Sequence, residues 1–200
     1  MKPRVFIFIG RSGCGKGSQV ELLKQVLITK GVNNIYHLET GARFREFISQ
    51  AGYSSGLAKT IMERGERQPD FLAVWMWSHL LVENLTGGET LVFDGTPRSL
   101  SEAKMLDTAL AFYLPAEADR VVIYLNISHN EAANRLAQRG RSDDHGAAQV
   151  EKRLSWFDTD VLPAVEYYRQ ATKPYNFIEV NGEQTIEAIS AELLAKVGLS

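Results

Sequence analysis

The tightest constraint on this chain lies at its start. Val5-Phe-Ile-Phe-Ile9 is an unbroken, β-prone apolar run that stops at Gly10. A strand with no polar side chain has no face to give to water, so it predicts a strand buried on both sides, as in the middle of a parallel sheet. A glycine-rich turn follows, then a helix from Gly15 to Lys30 closed by Gly31. A buried strand that turns directly into a helix commits the chain to an α/β architecture.

The rest of the sequence keeps that alternation. Strands are predicted at Asn34–Leu38, Thr90–Phe93, Arg120–Leu125 and Asn176–Val180. Helices are predicted at Asp70–Leu85, Leu100–Phe112, His129–Gln138 and Thr185–Val197. Ala147–Gln170 reads as one long helix kinked by Pro163, which lacks the N–H that a helix interior needs. Thr40–Arg64 carries two short helical patterns broken at Gly52–Gly56; it is Arg-rich and only moderately apolar, so it predicts a lobe rather than core. Strands alternating with helices give a five-stranded parallel sheet covered on both faces, with ligands at the carboxyl ends of the strands. No internal repeat or low-complexity segment interrupts it.

The turn after the first strand, Gly10-Arg-Ser-Gly-Cys-Gly-Lys16-Gly-Ser18, has Gly10 and Gly15-Lys16 at the Walker A spacing, with Ser18 one place later than usual. Such glycines let successive N–H groups point into one cavity at a helix N-terminus, where the dipole favours anions. Lys16 can then reach the β- and γ-phosphates of a nucleotide, and Ser18 can approach its metal. Asp94 ends the third strand, where a carboxylate would hold Mg²⁺ through water. Gly95 follows it rather than the Glu that activates water in many ATPases, which favours transfer to an acceptor over hydrolysis. No Asn-Lys-x-Asp guanine motif is present, which weighs against a GTPase switch.

The totals exclude other classes. A net charge of −2 with no basic tail argues against bulk nucleic-acid binding. One cysteine, Cys14, rules out an intramolecular disulfide framework and fits a reducing compartment. The Val5–Ile9 run is too short for a secretory segment, and no stretch approaches a membrane span, so a cytoplasmic protein without a membrane partner is expected. His37, His79, His129 and His145 show no metal-ligand spacing. Trp75, Trp77 and Trp156 are expected to pack the core, and Arg43, Arg64 and Arg67 to be solvated surface residues.

Gly15-Lys-Gly-Ser-Gln19, Thr40-Gly41, Arg45, Asp94-Gly95-x-Pro97-Arg98, and Arg141-x-Asp143-Asp144 ahead of Arg153 stand in an order that resembles adenylate kinases and UMP/CMP kinases over nearly the whole chain, through Val180-Asn181-Gly182. The resemblance implies a P-loop NTPase fold in one domain over 1–200, a small inserted lobe at 39–68 binding the nucleoside monophosphate, and a minimal lid at 139–147. It implies MgATP as donor, AMP as acceptor, Mg²⁺ held through water by Asp94 and Ser18, and a monomer. On the ATP side it implies Gly10, Gly13, Cys14, Gly15, Lys16, Gly17, Ser18, Arg135, Arg139 and Gly182. On the acceptor side it implies Thr40, Gly41, Arg45, Gly95, Arg98 and Glu102, with Arg141 and Arg153 closing over the transferring group. Lys16, Arg98, Arg141, Arg153 and Asp94 carry the implied catalysis. Planar guanidinium forks suit that work, since they bind phosphate bidentately and never lose charge.

Several positions depart from that pattern. Ala42 stands where an Asp usually organises the metal's water shell, which leaves room for a nucleotide-binding module that acts without catalysis. Thr96 replaces a Phe, and Glu39 a small residue. Glu102 stands where adenylate kinases carry Gln. A Gln amide donates and accepts, matching adenine's N1 and N6, whereas an ionised Glu only accepts; that leaves another monophosphate, GMP, UMP or CMP, as the alternative acceptor, with GMP favoured by Glu102. Arg139 and Arg141 are joined by Gly140 alone, which predicts a minimal lid and no structural zinc.

Overall fold

In the computed structural model, residues 4–139, 147–170 and 174–200 are described. The expected lid falls on 139–147, so Arg141, the side chain of Arg139 and all of 140–146 lie outside them.

Five strands form one sheet: β1 (Arg4–Gly10), β2 (Ile35–Glu39), β3 (Thr90–Asp94), β4 (Asp119–Asn126) and β5 (Asn176–Asn181). Their order is β2-β3-β1-β4-β5, and every pairing is parallel. The first strand is central, as its apolar run requires. Along it Phe6 and Phe8 enter one core layer while Val5, Ile7 and Ile9 enter the other, because successive side chains point to opposite faces. Each fully buried side chain of this kind contributes about 1.5–3 kcal/mol.

The helices divide between the two layers. Helices α1 (Lys16–Thr29), α6 (His129–Arg139), α7 (Ala147–Trp156) and α9 (Ile186–Lys196) pack with Phe6 and Phe8, through Leu23, Leu27, Leu136, Leu154, Ile189 and Leu193. Helices α4 (Asp70–Asn84), α5 (Leu100–Tyr113) and α8 (Leu162–Arg169) pack on the opposite face, through Trp77, Leu81, Leu106, Leu110, Val165 and Tyr168. Two short helices, α2 (Thr40–Ser49) and α3 (Tyr53–Glu63), stand apart; Phe44 and Ala58 make a small core of their own with Leu72, Ala73 and Met76 of α4. The expected break between them comes at Gln50–Gly52, and Gly56 lies within α3.

The long helix expected over 147–170 is interrupted. A π-helical turn, Phe157–Val161, separates α7 from α8, with Pro163 at the start of the second segment. The wider turn carries the Leu162 N–H to the Phe157 carbonyl and accommodates the proline, which has no N–H of its own to donate. No helix among the described residues is long and apolar enough to cross a membrane.

Candidate functional site

The carboxyl ends of β1, β2 and β3 open onto one cleft of about 510 Å³. Its floor is the turn after β1. Gly13 and Gly15 have φ of 85° and 92°, conformations that a side chain resists, and the turn delivers the chain into α1. Ser12, Gly13, Gly15, Lys16, Gly17 and Ser18 line the cleft. Lys16 is folded back onto the turn: its Nζ donates to the carbonyls of Gly10 at 2.9 Å and Arg11 at 3.0 Å, with Cys14 Sγ at 3.4 Å.

The other glycines and Cys14 make the turn compact. A Cβ on Gly10 would stand 2.6 Å from the Leu125 carbonyl and 2.7 Å from Cys14 Sγ, so β1 can approach β4 there only without a side chain. Cys14 is fully buried in the core layer, the small filler its place in the turn suggested. Gly182 packs against Asn126 and Ile127, its N–H donating to the Asn126 carbonyl at 2.8 Å, and does not line the cleft.

Asp94 closes β3 beside the turn. It is 8% exposed, and Glu39 of β2 is its register partner, so two carboxylates end adjacent strands. Burial pushes the Asp94 carboxyl up; Lys16 opposes that and Glu39 adds to it. Its Oδ2 lies 3.5 Å from where a Cβ on Gly17 would be, directly over the first turn of α1, and Ser18 presents an exposed hydroxyl in the same turn. Among the described residues no group of three His, Cys, Asp or Glu could enclose a metal. This donor set fits Mg²⁺, which keeps several waters and binds through one or two carboxylates plus substrate phosphates.

Opposite the turn, two arginines converge. A Cβ on Gly41 would stand 3.3 Å from Arg45 Nη1 and 3.4 Å from Arg98 Nη2, so both guanidiniums meet over the bare backbone at the start of α2. Arg45 Nη2 is held by Glu39 at 2.9 Å. Arg98 Nε donates to the Gly95 carbonyl at 2.8 Å, and Gly95 takes a φ of 78° beneath it. Burial draws Arg98 below the usual guanidinium range; Glu102 and Asp94 oppose this, while Arg153 and Arg45 add repulsion. Those neighbours put five charged groups within reach of one point. Thr40 and Thr96, both buried, bond hydroxyl to hydroxyl and tie the start of α2 to the cis Thr96–Pro97 bend. That bond is what Thr96 supplies in place of a Phe.

Arg135 and Arg153 line the cleft from α6 and α7. Arg135 Nε pairs with Glu131 at 2.6 Å, one helical turn away. The structure thus brings together Lys16, Asp94, Arg45, Arg98, Arg135, Arg153, Thr40, Gly41, Gly95 and Glu102 on one cavity.

Three expectations need correction. Arg67 is not a solvated surface residue: it lines the cleft and pairs with Asp70 at 2.6 Å, Asp160 at 3.5 Å and Glu102 at 3.6 Å. Trp156 also lines the cleft instead of filling the core. Trp75 is 44% exposed, stacked on His79 with ring centroids 4.4 Å apart. An isolated Arg in a polar stretch gave no pattern from which to find the first, and nothing in the sequence set Trp156 at the cleft.

Glu102 is 1% exposed and lines the same cavity. Burial pushes its carboxyl up to about 7, against the pull of Arg98 and Arg67.

A family model described as "Adenylate kinase" matches residues 8–173. The chain is 31% identical to "Adenylate kinase" of Flavobacterium psychrophilum over 94% of each protein. It is 31% identical to "Adenylate kinase" of Prochlorococcus marinus over 96% of this chain and 97% of that one. It is 28% identical to "Adenylate kinase 1" of Nostoc sp., with the same coverage.

Proposed function

The chain belongs to the adenylate kinase family and is a nucleoside monophosphate kinase, and on that premise we propose that it transfers the γ-phosphoryl group of MgATP reversibly to AMP, giving two ADP. The convergence of Arg45 and Arg98 over Gly41, across the cleft from the Lys16 turn, carries this reading. One end of the cavity offers amides, a helix N-terminus and an ammonium to a triphosphate; the other offers two guanidinium forks to a monophosphate.

On this reading the parts divide as follows. Lys16 leaves the Gly10 and Arg11 carbonyls to follow the transferring phosphoryl group. Arg135 and Arg153 contact the donor's phosphates from the side of α6 and α7, and Arg139 and Arg141 join them from the lid at 139–147. Asp94 and Ser18 would hold Mg²⁺ through its waters, and the ion would neutralise charge on the donor's phosphates. Little covalent chemistry is asked of the protein; it aligns the two phosphates, stabilises the charge that develops and keeps water away. The lobe at 39–68 receives AMP. Its contacts with α7 support an inward position: Lys152 Nζ donates to the Arg64 carbonyl and pairs with Glu66, both at 3.1 Å, and Gln149 Nε2 donates to the Glu63 carbonyl at 2.8 Å. The protein works as a monomer in the cytoplasm.

A coupled assay with MgATP and AMP, GMP, CMP, UMP or dTMP tests the assignment. AMP is expected to be the best acceptor, and no turnover with any of the five would end it.

A further inference from the structure

We propose that Arg67 and Glu102 read the acceptor's base as a pair, Arg67 donating to the ring N1 and Glu102 accepting from the exocyclic N6 amino group of adenine. The inference rests on the AMP reading above.

It begins with an orphan. Glu102 lines the cleft, and its Oε1 is buried with no hydrogen-bond partner. Leaving a buried carboxylate oxygen without a donor is costly, so a ligand N–H is the natural complement. Local structure offers Glu102 another task. Ser99 and Glu102 have the spacing of a capping box, and Ser99 Oγ does accept from the Glu102 N–H at 3.1 Å. Oε1, however, makes no return bond. Gln68 repeats the pattern. Its Nε2 donates to the Ala58 carbonyl at 2.8 Å, which fixes the orientation of the amide, and its Oε1 is buried, partnerless and on the same cleft. The cleft thus has two residues with buried acceptors that lack a donor.

Acceptors alone cannot read adenine, because N1 presents a lone pair. Arg67 supplies the donor. Its Nη1 lies 3.6 Å from Glu102 Oε1, too far for a hydrogen bond yet close enough for one base edge to meet both. Asp70 and Asp160 hold the guanidinium from other sides, so it is positioned before the base arrives. A guanidinium has five N–H donors; among the described residues one of them, from Nη1, makes a hydrogen bond, to Asp70. Two charged side chains thus divide the work of a single amide.

Steady-state kinetics of the intact enzyme test the pairing. With the unmodified protein, purine riboside monophosphate (no N6 amino group) and 1-deaza-AMP (a C–H for N1) are each expected to lose at least about tenfold in kcat/KM against AMP. Arg67→Met is expected to raise KM for AMP at least about tenfold, leave KM for ATP within about twofold, and make AMP and 1-deaza-AMP equivalent. Adding Glu102→Gln to Arg67→Met should recover most of the AMP affinity, since one amide both donates and accepts. The analogue series stands even if a variant fails to fold. Equal use of AMP and 1-deaza-AMP by the unmodified enzyme overturns the proposal. So does preference for GMP, which would mean the pair reads a 6-oxo edge. So does a KM for AMP that climbs through neutral pH while Arg67→Met is silent, which would make the Glu102 proton the donor. Turnover with no monophosphate at all would instead overturn the proposed function, and the inference with it.

Discussion

Two charged side chains in the cleft sit in contrasting surroundings. Lys16 donates its ammonium to the carbonyls of Gly10 and Arg11, the second of which also accepts from the Cys14 N–H at 3.2 Å. Lys16→Ala is expected to lower kcat at least about 10²–10³-fold in the coupled assay while shifting Tm little, because the lost contacts are partly exposed. Glu102 is the harder case. Its ordinary value is 4.5 and its folded value about 7. At low pH both folded and unfolded chains hold the proton and the residue costs nothing. As pH rises past the ordinary value the unfolded chain releases its proton first, so stability falls until the folded carboxyl has also ionised. Glu102→Gln should therefore gain over the parent between about pH 5 and about pH 8, by on the order of 1–3 kcal/mol in denaturant melts. A gap that does not change with pH would show that Glu102 is comfortably ionised when folded. The sequence exposed Glu102, because it breaks a dense motif. It did not expose Arg67, which lies in Gly65-Glu-Arg-Gln68 with no periodicity around it and becomes significant only when α5 and the π-helical turn bring Glu102 and Asp160 to it.

At the scale of elements, what could be read was the alternation, and what could not was how elements lean on one another. All five strands fell within a residue or two of expectation, since an apolar run such as Val5–Ile9 has few other uses. Pro163 foretold a disturbance in the long helix, but a proline does not announce the form it takes. The π-helical turn lets Phe157 and Asp158 face back to the turn after β1: Arg11 Nη2 meets Asp158 at 2.7 Å and its guanidinium lies 4.2 Å from the centre of the Phe157 ring. The same turn aims Asp160 at Arg67. The start of α2 is equally exacting, because Gly41 leaves room for two guanidiniums. A methyl there would press on both Arg45 and Arg98, whose flexible ends can move aside. Gly41→Ala is thus expected to raise KM for AMP about tenfold with little effect on KM for ATP or on Tm. An equal rise in both KM values would mean that Gly41 serves the whole cleft rather than the acceptor end.

The molecule as a whole separates its charge. The sequence carries a net charge of −2, which taken alone speaks against a polyanion as ligand. Yet the described lining of the cleft has six cationic side chains, Lys16, Arg45, Arg67, Arg98, Arg135 and Arg153, against four carboxylates, Glu39, Glu66, Asp94 and Glu102. The cations are gathered from the start of α1, from α2, the link between α3 and α4, the β3–α5 bend, α6 and α7, so their concentration is a property of the fold and could not be seen in a total. The acidic surplus therefore lies outside the described lining, which carries a net positive charge within an anionic protein. Nucleotides are then drawn to the cleft and repelled from the remaining surface. Such steering is screened within a Debye length of about 8 Å at physiological salt and about 30 Å at 0.01 M. Raising ionic strength from about 0.01 to about 0.15 M should therefore lower kcat/KM for both nucleotides several-fold, mostly through KM. The acceptor should suffer more in the parent than in Arg45→Ala, which has already lost one of the two forks that grip it. Salt-independent kinetics would mean that the carboxylates neutralise the cleft and that capture depends on shape alone.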